Sequence, residues 1–229
     1  MSSAETFDHT AIRAYLRRAT AVIDRHAGYL TRLDETLGDG DHGDNLLLGF
    51  RSLAPVLDDT SDPDAARIGF LLRTVGRSLA ANVGGASGPL YATAFIEAAE
   101  VAGDATVVHA RTVAQMFRAA AAGVARRGRC DVGDKTMLDT LRPATAAMAD
   151  VLEADGSFAD ALRDGARAAA RGMRSTRPLV ARRGLAIRLG DRSAGHLDPG
   201  AVSCLLLVRA LAPSAAERRR ARALSAVAE

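Results

Sequence analysis

Apolar residues recur at helical spacing along nearly the whole chain, and no stretch alternates convincingly with the two-residue period of a half-buried strand. Ile12, Leu16, Ala19 and Ile23 stripe a segment over residues 6–31. Val113, Met116, Phe117, Ala120 and Val124 stripe another over 105–127, and Leu138, Leu141, Met148 and Leu152 a third. Between them the pattern predicts a helix ending near Leu57, one over 62–82 with Pro63 at its first position, and one ending near Val101. Asp134 is placed to cap the helix striped from Leu138, a further helix covers 157–174, and Asp198-Pro199 opens the last. Eight helices with short connections predict an all-α fold, an eight-helix antiparallel up-and-down barrel or bundle. An Ala- and Leu-rich composition with only 4% aromatic residues agrees.

The punctuation is as informative as the helices. Polar, glycine-containing loops lie near residues 34–45, 84–89, 128–134 and 190–199. They follow the first, third, fifth and seventh expected helices. In an antiparallel arrangement alternate loops meet at one end, so the four predict one composite site at one rim.

The first loop carries Asp34, Asp39 and Asp41 with Gly38, Gly40 and Gly43 among them. Carboxylates this dense repel one another unless a cation sits between them, and hard oxygen donors suit Mg²⁺ completed by phosphate oxygens. The segment alone fits such a site or a solvated acidic turn equally well. It does not fit an EF-hand: counted from Asp39, the glycine position holds Asp44 and the bidentate glutamate position holds Phe50. The run Gly84–Gly88 precedes a helix and could offer backbone N–H groups to an anion, or simply join two helices. Gly128–Thr136 approaches a phosphate-binding P-loop but has one residue too many before Lys135 and no strand ahead of it. His42 and His196 both sit in Gly-Asp loops.

A length of 229 residues and a net charge of +3 bound the rest. The expected organisation is one helical domain over 1–213 and an Arg-rich tail over 214–229. Cys130 and Cys204 are widely separated and match no metal-ligand spacing. No charged-then-apolar leader and no membrane-length apolar run is present, so no membrane association, no nucleic-acid partner and a cytoplasmic location are expected. Lys135 is the single lysine among thirty Lys and Arg residues, which singles it out.

At these residues the chain resembles the DhaL family, the nucleotide-binding subunit or L domain of dihydroxyacetone kinases. The resemblance rests on Leu33–Asn45 (LDETLGDGDHGDN), Gly84–Tyr91 (GGASGPLY), Gly133–Thr140 (GDKTMLDT) and Leu189–Ala201 (LGDRSAGHLDPGA), in the family's order. It implies an eight-helix barrel binding ADP or ATP with Mg²⁺, two ions being expected, at one rim. By the family pattern Asp34, Asp39 and Asp41 would hold the metal. His42, Gly43, Asp44, Asn45, Ala86, Ser87, Gly128, Met137, Asp198, Pro199 and Gly200 would line the nucleotide pocket. No catalytic residue is assigned beyond the metal ligands.

The implied activity is phosphoryl transfer to dihydroxyacetone, or a related small ketose or polyol, bound by a separate DhaK-type subunit. A DhaM-type phosphocarrier of a phosphoenolpyruvate-linked phosphotransferase system would recharge the nucleotide. The alternatives are an ATP-dependent kinase subunit, a non-catalytic nucleotide-binding module, and a metal-dependent phosphohydrolase. One departure stands out. Where the family often has Gly-Arg-Ala-Ser-Tyr-Leu-Gly, Gly184–Gly190 reads GLAIRLG, so Leu185 replaces the Arg expected at the phosphates. Arg182, Arg183 and Arg188 are the neighbouring candidates to substitute.

Overall fold

The computed structural model describes residues 5–213; the expected tail at 214–229 lies outside the described residues. Helix α1 (His9–Leu37) opens with Asp8, whose carboxylate accepts the Ala11 N–H at 3.0 Å. Leu16, Ala19, Ile23, Ala27, Leu30, Asp34 and Leu37 form its buried stripe. The helix runs six residues past its expected end at 31, because no Gly or Pro interrupts residues 29–37 before Gly38. Asp34 therefore belongs to the last turn of α1 rather than to a loop.

The second expected helix divides into α2 (His42–Arg51) and α3 (Ala54–Asp58). Pro55 has no N–H to give the Arg51 carbonyl, so a continuous helix stops there. Arg13, only 6% exposed, donates to the Val56, Leu57 and Asp59 carbonyls at 2.7, 2.7 and 3.0 Å, capping α3. Helix α4 (Ile68–Asn82) starts later than residue 62. Asp62 instead closes a turn, its carboxylate accepting the Asp64 N–H at 2.8 Å.

Helices α5 (Ser87–Ala102), α6 (Ala110–Gly128), α7 (Leu138–Glu153), α8 (Phe158–Ser175) and α9 (Pro199–Ala210) complete the set. Asp198 caps α9, with Pro199 at its start, as expected, and Ser157, expected as the first helical residue, caps α8 instead. A small element escapes the periodicity. Strands β1 (Thr6–Asp8) and β2 (Val107–His109) pair antiparallel, Phe7 opposite Val108, and three residues are too few to show alternation.

Each long helix packs on its successor, and α9 returns to pack on α1, which closes the ring. Close approach is purchased with glycine at α7 and α8. Pro143 cannot donate to the Asp139 carbonyl, and Gly172 sits directly over that oxygen, where a Cβ would lie 2.0 Å away. Inside the ring is an apolar cavity of about 410 Å³, walled by residues such as Phe95, Phe117, Met148 and Leu207. Among the described residues no helix is long and apolar enough to cross a membrane.

Candidate nucleotide and metal site

Helices α2, α5, α7 and α9 run in one sense around the ring, so their N-termini share a rim. His42, Ser87 and Pro199, the first residues of α2, α5 and α9, and Met137, just ahead of α7, all wall a second cavity of about 480 Å³. Each helix start brings unpaired backbone N–H groups and the positive end of a dipole. Converged on one space, they favour an anion.

Across the cavity stand the three aspartates. Asp34, 9% exposed, reaches from α1 to the start of α2, its Oδ2 accepting from the backbone N–H groups of Gly40 (3.1 Å), Asp41 (3.1 Å) and His42 (3.2 Å). A Cβ at Gly38 would lie 2.2 Å from Asp34 Oδ1, so any larger residue there would displace that carboxylate. Asp34, Asp39 and Asp41 each present a carboxylate oxygen within 4.8 Å of the others. The Asp41 carboxyl is pushed up, first by desolvation and then by repulsion from Asp39 and Asp34, while a hydrogen bond from Asn45 opposes the shift. A hard divalent cation fits this donor set: it would neutralise the repulsion, and the donors are all carboxylate oxygens.

A buried polar chain supports the floor. His42 lies 3.0 Å from Ser87 Oγ through Nδ1 and 3.0 Å from Ser203 Oγ through Nε2. Ser203 donates to the Gly200 carbonyl at 3.0 Å, so Tyr91, 2.7 Å away, donates to Ser203. Burial pulls the His42 pKa down, against the opposing effects of Asp34 and the Pro199 backbone. Tyr91 also walls the apolar cavity, so this chain spans from rim to interior.

Thr136 Oγ1 accepts the Leu138 N–H at 3.1 Å at the start of α7, and Asp139 reaches back to the segment ahead of the helix. Asp139, 1% exposed, accepts the Gly133 and Thr136 N–H groups at 2.6 and 2.7 Å. Asp134, the expected cap, instead accepts the Asp131 N–H at 3.0 Å. Asp198 accepts the Ala201 N–H at 2.7 Å, and its carboxyl is raised to about 7, chiefly by desolvation. Ala201 and Lys135 oppose that rise, while Asp139 and Asp34 add to it.

The structure gathers the sequence-predicted residues into this one wall except Gly43, Asp44 and Asn45. Gly43 instead lets α2 touch α1, since a Cβ would lie 2.0 Å from the Ala27 carbonyl oxygen. Asp44 is exposed on α2. Asn45 packs against Gly84, where a Cβ would meet its Oδ1 at 2.6 Å, and supports Asp41. His196 also stays out of the wall. Lys135, Arg127 and Arg183 belong to it, and sequence reasoning assigned none of them a definite role there. Leu185 lines the cavity but remains 40% exposed, and of the three neighbouring arginines only Arg183 does so with it.

Fold and site together define a helical barrel with a polar, phosphate-suited rim. The model of the DAK2 domain matches residues 36–213, and the chain belongs to that family. It is 40% identical over 199 residues to the "PEP-dependent dihydroxyacetone kinase 2, ADP-binding subunit DhaL" of Listeria innocua, covering 83% of this chain and 88% of that one. It is 38% identical to the corresponding ADP-binding subunit DhaL of Escherichia coli, covering 93% of this chain and 100% of that one. A weaker likeness, 34% over 87% of this chain but 34% of the relative, is to an L-erythrulose 1-kinase of Mycolicibacterium smegmatis. The crystal structure of the dihydroxyacetone kinase of C. freundii shares the fold, with a TM-score of 0.68 at 24% identity over 92% of this chain and 36% of that one.

Proposed function

We propose that the chain is the nucleotide-binding subunit of a dihydroxyacetone-type kinase. The observation that carries this reading is the single cavity in which three carboxylates face four helix N-termini. Asp34, Asp39 and Asp41 hold Mg²⁺, with two ions expected from the family resemblance. Mg²⁺ supplies charge neutralisation at the phosphate oxygens. The chain's own part is positioning. Asp34 fixes the first turn of α2, Ser87 and the starts of α5 and α7 face the diphosphate, and Asp198 orders the start of α9. Such pre-aimed N–H groups stabilise charge developing on a transferred phosphoryl group.

The small ketose is bound by a DhaK-type partner, and a DhaM-type phosphocarrier charged from phosphoenolpyruvate restores the nucleotide. The relatives named PEP-dependent ADP-binding subunits support that donor. A four-carbon ketose in place of dihydroxyacetone is a second reading, favoured by the likeness to L-erythrulose 1-kinase. Reconstitution tests the division of labour. The purified chain alone leaves dihydroxyacetone unphosphorylated, and adding a DhaK-type subunit with a charged phosphocarrier starts turnover. Robust phosphorylation by the chain alone contradicts it.

A further inference from the structure

Residues between α8 and α9 leave the ring and return as a loop with a closed neck. The Gly195 N–H donates to the Arg177 carbonyl at 2.7 Å, Arg177 Nε donates back to the Gly195 carbonyl at 3.0 Å, and the Asp198 N–H donates to Thr176 Oγ1 at 3.2 Å. Lys135 meets the same neck from the barrel side. Its Nζ donates to the Thr176 carbonyl at 2.6 Å and to the His196 carbonyl at 2.5 Å. One ammonium thus holds the residue before the loop and the residue after it.

The position is built for that side chain. Lys135 is 2% exposed and has φ +62°, a left-handed conformation in which a residue with a Cβ is uncommon. A glycine would adopt that backbone more easily, so the side chain is what the site retains. An ammonium places separate donors on two carbonyls from different segments, whereas a planar guanidinium has its donors in one fixed fork.

The far end of the loop reaches the polar cavity. The Arg182 N–H donates to the Asp134 carbonyl at 3.1 Å. Arg183 Nε donates to the Arg129 carbonyl at 2.6 Å and lies 3.5 Å from Asp134 Oδ2, and Nη1 donates to the Arg182 carbonyl at 3.0 Å. Its Nη2 has no partner among the described residues. Arg183 is held at its inner nitrogens and keeps a donor pair for an anion in the cavity it lines.

We propose that Lys135 is a positioning residue for the phosphate end of the site: by tying Thr176 to His196 it seats the 177–195 loop and thereby presents Arg183 to the cavity. This rests on the reading of that cavity as a nucleoside diphosphate site.

The test uses the full chain with Mg²⁺ and a fluorescent N-methylanthraniloyl ADP, following release by stopped flow and backbone order by hydrogen exchange. Lys135→Met accelerates ADP release by at least about tenfold, the size expected for removing charge-assisted hydrogen bonds. It raises exchange over 177–195 while α1, α4 and α5 stay protected. Arg183→Ala accelerates release without raising exchange, and adding it to Lys135→Met brings little more. Release and exchange unchanged in Lys135→Met overturn the proposal. Should Lys135→Met lose its helical signal, Arg177→Ala decides, because it loosens the same neck from the exposed side. Faster release in that variant supports the proposal, and unchanged release overturns it. A wild-type chain that does not bind the ADP probe overturns the site reading and the positioning role together, whereas a binding wild type with an indifferent Lys135→Met overturns the role alone.

Discussion

The barrel holds two cavities of similar size built by opposite rules. The interior one, about 410 Å³, is walled by the apolar stripes of the helices. The rim one, about 480 Å³, is walled by helix ends and the loops between them. Side chains from regular helices can only present a face, and here that face is apolar. Chemistry that needs carboxylates, glycines and free N–H groups in one place is met where helices start and stop. Met137 walls both cavities, and Tyr91 packs in the interior while its hydroxyl joins the His42–Ser203 chain beneath the rim.

The contrast predicts that rim substitutions damage ligand binding, and that interior ones damage stability alone. Asp34 is the exception, because it serves both, and it carries the largest expected effect. Asp34→Ala leaves three N–H groups without their acceptor, costing about 3 kcal/mol or more of stability, and it also removes the buried carboxylate proposed to hold the metal. Urea unfolding and ADP titration on the same preparation read both losses. Damage to only one of them breaks the assignment of Asp34 to both roles.

Next comes the interior. Leu207→Ala costs about 2–3 kcal/mol, toward the low end for a buried leucine because a cavity already adjoins it. Affinity for Mg²⁺-ADP in the folded variant stays within about twofold of wild type, a difference under about 0.5 kcal/mol. A tenfold loss of affinity would show the two regions to be coupled.

The smallest effect depends on pH. The folded state raises the Asp198 carboxyl from 3.8 to about 7, so the unliganded chain loses stability as pH climbs from about 4 through 7. Asp198→Asn keeps an N-cap side chain and removes the titration. The variant is more stable than wild type at pH 8, by about 1 kcal/mol or more, and gains nothing at pH 4. Thermal unfolding at the two pH values measures it, and equal differences at both would remove the buried charge from the account.

The same contrast explains what could be read from the chain. Helix existence, antiparallel order and the convergence of alternate loops follow from periodicity and loop spacing, and the Asp198 cap stands where expected. The boundaries that moved have local causes, in the Gly- and Pro-free run before Gly38, in Pro55 and in the Asp62 turn, whereas the site's polar contacts are set by tertiary structure. Nothing local says that Asp34, at the end of α1, also holds the start of α2, or that Asp139 reaches back to the Gly133 and Thr136 N–H groups. Gly43 and Asn45 stand within the most informative motif, yet they serve helix packing and loop support, because adjacency in sequence does not place residues on the cavity side of a helix. Lys135 lines the site from just ahead of α7 and Arg183 from the 177–195 loop, whose path no periodicity predicts. The rarity of lysine was the signal for Lys135, and its place beside Leu185 the signal for Arg183.

The account stands most directly on whether the three aspartates and the helix ends act as one Mg²⁺-nucleotide site. Calorimetric titration of ADP into the wild-type chain, with and without Mg²⁺, and into Asp39→Asn and Asp41→Asn with Mg²⁺, measures this. The prediction is binding that requires Mg²⁺ and weakens by at least about tenfold, or about 1.4 kcal/mol, in each variant. Equal ADP affinity without the metal, or wild-type affinity in both variants, would contradict it.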